Sequence, residues 1–265
     1  MHVDVWGLGA GPPVVLAHGA MTNGASAWAK QRGLAERWEL SVPSRRGFVP
    51  NPPEARSDFE VDANDIAALL AESDEPAHVV GHSYGGLVAL LAATEDPQRV
   101  RSLTLVEPAV MSLMRGHPDV EQSIASHVAL LEDAGDDPQA FLIAFTKRLG
   151  GDPATVPDPL PEHVRQHVEL LMHERFPWDA QIDLVPIINA ALPAMVVSGG
   201  HDRMQEALSD AVAGALGSST QRVVIPGAAH VVQRTGEPFN DALDSFLRRF
   251  HGERRPKGDD GCRCK

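Results

Sequence analysis

Short apolar runs rich in β-branched residues alternate along the chain with longer segments whose apolar residues recur at helical spacing. The short runs predict strands at His2–Trp6, Val14–Ala17, Glu39–Val42, Ala77–Val80, Ser102–Val106, Ala194–Ser198 and Arg222–Ile225. The longer segments predict helices that begin near Trp28 and that cover Phe59–Ala71, Leu87–Ala93, Gln205–Leu216 and Pro238–Phe250. Because most of the strands are short and continuously apolar, the alternation predicts an α/β fold with a mostly parallel, doubly wound sheet flanked by helices on both faces.

One long segment interrupts this alternation. Between residues 110 and 183 the chain has no strand pattern, and its apolar spacing predicts helices over Val120–Ala134, Pro138–Leu149 and Pro161–Arg175. The segment follows a strand at the carboxyl side of the sheet, where ligands bind in open α/β folds, so we expect it to act as a lid. The predicted organisation is a core of residues 1–109 and 184–251, a helical lid of residues 110–183 and a disordered tail of residues 252–265.

Composition and charge narrow the range of functions. Of the 265 residues, 43% are hydrophobic and 22% are charged, which is ordinary for a globular protein, and the formal net charge is −13. This acidity argues against nucleic acid or an anionic membrane surface as a partner, since both require a basic face. The chain has no apolar run of transmembrane length and no basic-then-apolar leader, so we expect a cytoplasmic protein that acts on a small molecule. The two cysteines, Cys262 and Cys264, lie in the polar tail, so no disulfide framework is expected.

The segment Gly81-His82-Ser83-Tyr84-Gly85 lies between a predicted strand and a predicted helix. In a G-x-S-x-G elbow, the serine occupies the tip of a sharp strand-to-helix turn and exposes its hydroxyl above the sheet edge. Glycine is required two residues on either side of the tip because a Cβ there would collide with neighbouring backbone. The positive N-terminal end of the following helix favours an oxyanion at the tip. We therefore predict that Ser83 is a nucleophile.

A serine nucleophile requires a base that is oriented by an acid. His230 directly follows the last predicted strand, at the same edge of the sheet as Ser83, and is the candidate base. Asp202 follows the penultimate strand and gives the chain order Ser83, Asp202, His230 that is expected for this type of elbow. Glu107 ends the strand after the nucleophile helix and could reach the same imidazole. We favour Asp202 as the acid and keep Glu107 as the alternative.

Acyl transfer also needs two backbone N–H groups that stabilise the oxyanion. We expect one from Tyr84, directly after the nucleophile, and the other from Ala20, with Met21 as the second choice, in the turn after His18-Gly19. Large apolar side chains in the lid and in this turn indicate an apolar acyl or alcohol group in the substrate. The candidate substrate-binding residues are Met21, Met111, Met114, Phe145 and Trp178.

The chain resembles the α/β-hydrolase superfamily from Val3 to Phe250, and four segments carry this resemblance. In chain order they are His18-Gly19, Gly81-His82-Ser83-Tyr84-Gly85-Gly86, Gly199-Gly200-His201-Asp202 and Gly227-Ala228-Ala229-His230. The resemblance implies an enzyme without cofactor or metal that acylates Ser83 and then lets His230 activate water. Some lactone hydrolases of the superfamily use an acid at the strand end where Glu107 lies. Relatives that open epoxides or remove halide need a carboxylate at the elbow, so the serine indicates a hydrolase of a carboxylic ester or lactone.

Other functions are compatible with the same residues. A C–C bond hydrolase, or a thioesterase or cyclase of a biosynthetic pathway, would use the same three groups, and some members of the fold bind small molecules without turnover. A metal hydrolase is disfavoured because the chain has no His-Glu-x-x-His helix or acid-rich ligand set. Its ligands would be four histidines near the same edge: His18, His82, His201 and His230. Three arginines could hold a substrate carboxylate: Arg45, Arg46 and Arg175. Surface salt bridges are the simpler interpretation of these three side chains. The oligomeric state is left open.

Overall fold

A seven-stranded sheet forms the centre of the protein. The computed structural model describes residues 1–149 and 151–251, so the predicted tail of residues 252–265, with Cys262 and Cys264, lies outside the described residues. The strands are β1 (His2–Trp6), β2 (Pro13–Ala17), β3 (Glu39–Ser44), β4 (Ala77–His82), β5 (Val100–Val106), β6 (Ala194–Ser198) and β7 (Gln221–Val224). Their order in the sheet is β1-β3-β2-β4-β5-β6-β7, with β1 antiparallel to β3 and the other pairs parallel. The predicted mostly parallel sheet is confirmed.

The helices agree with the predicted segments within a few residues, with one exception. The helix expected to begin near Trp28 is instead a four-residue α-helix that ends before Trp28 and a 3₁₀ helix after it, and Gly33 within the 3₁₀ segment disfavours a regular α-helix. The α-helices are α1 (Gly24–Ala27), α2 (Phe59–Glu72), α3 (Tyr84–Glu95), α4 (Pro118–Ala134), α5 (Pro138–Arg148), α6 (Glu162–Met172), α7 (Val185–Asn189), α8 (Arg203–Leu216) and α9 (Glu237–Arg249). Short 3₁₀ helices occupy Ala29–Glu36, Pro97–Arg99, Met111–Met114, Pro153–Thr155, Pro177–Asp179 and Val232–Thr235.

The core has a cluster of apolar side chains on each face of the sheet. Because successive side chains of a strand point to opposite faces, the neighbours Val79 and Val80 of β4 belong to different clusters. The Val79 face packs against α2, α3 and α8, and the Val80 face packs against α9 and the segment around Trp28. Burial of both faces explains why the central strands are apolar without interruption. In the parts of the chain that the structure describes, no helix has the length and apolar character required to cross a membrane.

Helices between β5 and β6 lie over the carboxyl ends of the strands. Helices α5 and α6 pack together in an apolar cluster that includes Phe141 and Leu171. Ala20 and Met21, which follow the carboxyl end of β2, contact the same cluster. Helix α4 packs against α8, which follows β6, through a separate small cluster. These contacts hold the inserted helices above the edge of the sheet where Ser83 lies.

Candidate active site

Ser83 occupies the tip of a sharp turn between β4 and α3. Its backbone has φ 54° and ψ −121°, a left-handed conformation that is unusual for a residue with a side chain. A Cβ on Gly81 would lie 2.2 Å from the carbonyl oxygen of Gly85, and a Cβ on Gly85 would lie 2.4 Å from the carbonyl oxygen of Ala17. The two glycines therefore allow the close backbone approach that the sequence predicts, and the turn presents the Ser83 hydroxyl at the carboxyl edge of the sheet.

The side chains of Ser83, His230 and Glu107 form a continuous hydrogen-bonded relay. Ser83 Oγ lies 3.0 Å from His230 Nε2, and His230 Nδ1 lies 3.0 Å from Glu107 Oε2. When the carboxylate accepts the Nδ1 proton, Nε2 carries the lone pair toward the serine hydroxyl. The arrangement is therefore chemically able to take the proton from Ser83 as its oxygen attacks an electrophile.

The structure brings Glu107, and not Asp202, to the imidazole. Glu107 directly follows β5 and is fully buried, and its Oε1 accepts the Gly199 N–H at 2.7 Å. Asp202 is the N-cap of α8, where its side chain accepts the Gln205 N–H at 2.9 Å. The expectation that Asp202 holds the imidazole is thus corrected in favour of the alternative, because the Asp202 carboxylate is engaged in capping a helix at the exposed rim.

The residues predicted to stabilise an oxyanion lie around the Ser83 turn. Tyr84 is the first residue of α3, so the helix itself provides no partner for its N–H. Ala20 and Met21 line the same cavity as Ser83. A Cβ on Gly19 would lie 3.1 Å from Ser83 Cβ, which shows how closely the turn after β2 approaches the elbow. The roles of Ala20, Met21 and Tyr84 in binding an oxyanion stay predictions.

Two buried histidines support these turns. His18 Nδ1 donates to the Gly19 carbonyl oxygen at 2.7 Å, and its Nε2 accepts the Arg45 N–H at 2.9 Å, as expected for a neutral ring. Burial lowers the pKa of His18 well below its usual value. His82 Nε2 donates to the His230 carbonyl oxygen at 2.9 Å, and burial lowers the pKa of His82 to about 3. Both rings therefore position neighbouring backbone. Across residues 1–149 and 151–251, no group of three His, Cys, Asp or Glu side chains is arranged to bind a metal ion.

A cavity of about 490 Å³ opens onto the Ser83 hydroxyl. The sheet edge contributes Ser83 and His230 to its wall, and the inserted helices contribute apolar side chains. Of the predicted substrate-binding residues, those that line the cavity are Met21, Met111, Phe145 and Trp178. Met114 does not line it: its side chain packs in the small apolar cluster between α4 and α8. Asp202 lines the cavity at its exposed rim.

A sequence model described as the alpha/beta hydrolase family matches residues 14–242 of the chain. The chain belongs to this alpha/beta hydrolase family. The match begins in β2 and ends in α9, so it includes Ser83, Glu107 and His230 together with the inserted helices. The family resemblance expected from the sequence is confirmed.

Individual proteins that are similar to the chain share only limited sequence identity with it. The chain is 35% identical over 108 residues to the pimeloyl-[acyl-carrier protein] methyl ester esterase of Aeromonas hydrophila subsp. hydrophila, a match that covers 40% of the chain and 41% of that protein. It is 29% identical over 199 residues to lipase LipV of Mycobacterium tuberculosis, covering 74% of the chain and 69% of the lipase. A thermophilic esterase from Thermogutta terrifontis, solved with malate bound, has the same fold with a TM-score of 0.70 at 23% identity, over 94% of this chain and 93% of that one. The first match spans less than half of that esterase.

Two charged residues that line the cavity, Glu174 and Arg148, were missed by sequence reasoning, and Arg45 lies in a different environment from the expected surface salt bridge. Glu174, only 8% exposed, lines the cavity, and burial raises its pKa to about 8 although the Arg45 charge acts in the opposite direction. Arg45 is itself buried: its Nη1 pairs with Asp62 at 2.7 Å, and its guanidinium lies 4.2 Å from the centre of the Tyr84 ring. Arg45 is therefore not a surface cation. Arg148 also lines the cavity. No local motif marks Glu174 or Arg148, because each reaches the cavity only through the packing of the inserted helices.

Proposed function

We propose that the protein is a cofactor-independent serine hydrolase that cleaves a carboxylic ester or lactone of an apolar small molecule through an acyl-enzyme on Ser83. The observation that carries this proposal is the relay of Ser83, His230 and Glu107, with both contacts at 3.0 Å, at the floor of a largely apolar cavity. Membership of the alpha/beta hydrolase family supports hydrolysis. The known activities named for the similar proteins, two esterases and a lipase, support an ester as the bond that is cleaved.

In the proposed mechanism, Ser83 Oγ attacks the carbonyl carbon while His230 Nε2 takes its proton. Glu107 holds the imidazole in the required tautomer and stabilises the imidazolium that forms. The backbone N–H groups of Tyr84 and Ala20 stabilise the oxyanion. The bond from the acyl carbon to the alcohol oxygen then breaks, and the imidazolium returns the proton to that oxygen. In the second half, water attacks the acyl-enzyme with His230 as base, which releases the acid and restores Ser83.

Residues 110–183 act as the lid in this proposal. They supply several of the apolar side chains that line the cavity around Ser83, including Met111, Phe145 and Trp178. An apolar wall excludes water from the acyl group and favours substrates with an alkyl or aryl chain.

Labelling with a fluorophosphonate tests the nucleophile. Intact mass is measured for the wild-type protein and for the variants S83A and H230A, each after the same exposure to the reagent. The expected result is one adduct on the wild type and none on either variant. Labelling of S83A to the wild-type extent would refute Ser83 as the nucleophile. Turnover of p-nitrophenyl esters by the wild type, lost in S83A, then tests ester hydrolysis; labelling without ester, lactone or thioester turnover would favour a protein that binds without catalysis.

A further inference from the structure

A cationic side chain lines the same cavity on the side formed by α4 and α5. Arg148 is the last residue of α5 and shares the cavity wall with Ser83 and His230. Its Nη2 donates to the backbone carbonyl oxygen of Ser123 at 2.9 Å and to Ser123 Oγ at 2.8 Å. These two bonds connect the end of α5 to α4 and hold the guanidinium group in one orientation.

Arg148 forms no direct ion pair in the part of the chain that the structure describes, and the carboxylate whose charge acts on it, Asp202, lies beyond ion-pair distance. No carboxylate of residues 1–149 or 151–251 lies within ion-pair distance of Arg148, and its buried Nη1 has no hydrogen-bond partner among these same residues. His127, which lines the same cavity, has a buried Nε2 that likewise has no hydrogen-bond partner among the described residues. A buried hydrogen-bond donor that lacks an acceptor costs free energy, and the cost is larger when the donor belongs to a charged guanidinium group. An acceptor brought by a ligand would satisfy Arg148 Nη1, and it would also satisfy His127 Nε2 in the tautomer that carries the ring proton there.

The other arginines near this edge differ from Arg148. Arg45 pairs with a buried carboxylate, and Arg46 and Arg175 pair with surface carboxylates at 2.7 and 2.8 Å. Arg234 lines the cavity, but it is exposed, so water solvates its charge. Arg148 therefore combines contact with the cavity, partial burial and the lack of a carboxylate partner within the described residues.

The acidic groups around the cavity would repel an added negative charge only weakly. Glu107 forms a hydrogen bond with His230, and burial raises the pKa of Glu174 to about 8, so Glu174 is mostly protonated at pH 7. Asp202 is exposed at the rim. Desolvation lowers the pKa of Arg148, and the charge of Asp202 acts against this shift without cancelling it. An anion that reached Arg148 would offset the desolvation of the guanidinium group.

We propose that Arg148, with His127 nearby, binds a carboxylate at the end of the substrate remote from the scissile ester. The preferred substrate class is then a half-ester of a dicarboxylic acid, with an apolar chain between the ester and the carboxylate. A single guanidinium group neutralises a single charge, and the cavity wall is otherwise mostly apolar, which favours a carboxylate over a doubly charged phosphate. This inference rests on the proposed ester hydrolysis at Ser83.

The test compares substrates that differ only in charge. Monomethyl succinate, glutarate, adipate and suberate are each compared with the corresponding dimethyl ester, and kcat/KM is measured for the wild type and for R148M, R148K and K147M. Lys147 is the matched control because it is exposed, lies next to Arg148 on α5 and does not line the cavity. Calorimetric binding of the same esters to S83A, with and without R148M, gives a readout that does not depend on turnover.

The wild type is expected to prefer one chain length of half-ester over its dimethyl ester. R148M should lower kcat/KM for that half-ester by about 10- to 100-fold, the effect of losing a charge-assisted hydrogen bond, and change the dimethyl ester by less than about 2-fold. R148K should be intermediate, and K147M should match the wild type. Equal losses on both substrates, no preference by the wild type, or an equally selective loss in K147M would overturn the proposal.

The two proposals can fail separately. If the wild type turns over none of the esters, ester hydrolysis fails as the proposed function. The binding arm then decides the carboxylate site: the half-ester should bind S83A and lose affinity by about 10-fold or more when R148M is added, while the dimethyl ester does not. Absence of this difference would overturn the assignment of Arg148.

Discussion

Replacing Glu107 with glutamine should remove most of the activity while leaving the fold intact. The Glu107 carboxylate accepts two N–H donors, with Oε1 facing Gly199 and Oε2 facing His230 Nδ1. Glutamine has a single oxygen. If that oxygen keeps the Gly199 N–H, the amide NH₂ faces Nδ1, which must then act as an acceptor, so the ring proton moves to Nε2 and points at Ser83 Oγ. In that tautomer His230 cannot take the serine proton.

The expected loss for E107Q is about 10³- to 10⁴-fold in kcat, which corresponds to about 4–5.5 kcal/mol of transition-state stabilisation. The matched control is D202N, which changes the rejected candidate acid in the same way. Asparagine caps helices about as well as aspartate, so D202N should keep the bond to the Gln205 N–H and change kcat by less than about 2-fold.

The assay is steady-state hydrolysis of a p-nitrophenyl ester, accompanied by urea unfolding of each variant. Unfolding separates a loss of activity caused by the wrong tautomer from one caused by a damaged fold. A larger loss of kcat in D202N than in E107Q, with both variants folded, would refute the assignment of the acid.

Two further predictions concern buried charge. Burial raises the pKa of Glu174 from its ordinary value of 4.5 to about 8, so the folded protein keeps a proton that the unfolded chain releases. The free energy of unfolding of the wild type should therefore fall as the pH rises from about 5 to about 8. E174Q should keep its stability over this pH range, so its free energy of unfolding in urea should exceed that of the wild type by about 5 kcal/mol at pH 9 but not at pH 4. Parallel pH profiles of the two proteins would contradict this. D62A removes the carboxylate that pairs with buried Arg45, and it should lower the free energy of unfolding by about 3–5 kcal/mol. The control D65A breaks the more exposed pair with Arg46, and it should lower the free energy of unfolding by about 1 kcal/mol or less. Equal effects of the two substitutions would refute the reasoning.

The sequence was sufficient for features that depend on local pattern. Alternating apolar runs and helical segments determine an α/β sheet with both faces covered, because each element must bury its own apolar side chains. The Ser83 elbow was predictable because Gly81 and Gly85 are spaced for a turn that leaves no room for a Cβ on either side. His230 was predictable because the carboxyl ends of parallel strands meet at one edge.

Distances between separate elements were decided by the tertiary structure alone. Glu107 and Asp202 both follow strands at the same edge, and the sequence ranks them only by chain order. Packing leaves Glu107 buried against His230 and Asp202 capping α8 at the rim. Likewise, no sequence pattern distinguishes Arg148, which lines the cavity, from the paired Arg46 on the surface. Periodicity specifies which face of an element is apolar, but the partner of a charged group depends on how distant elements pack in three dimensions.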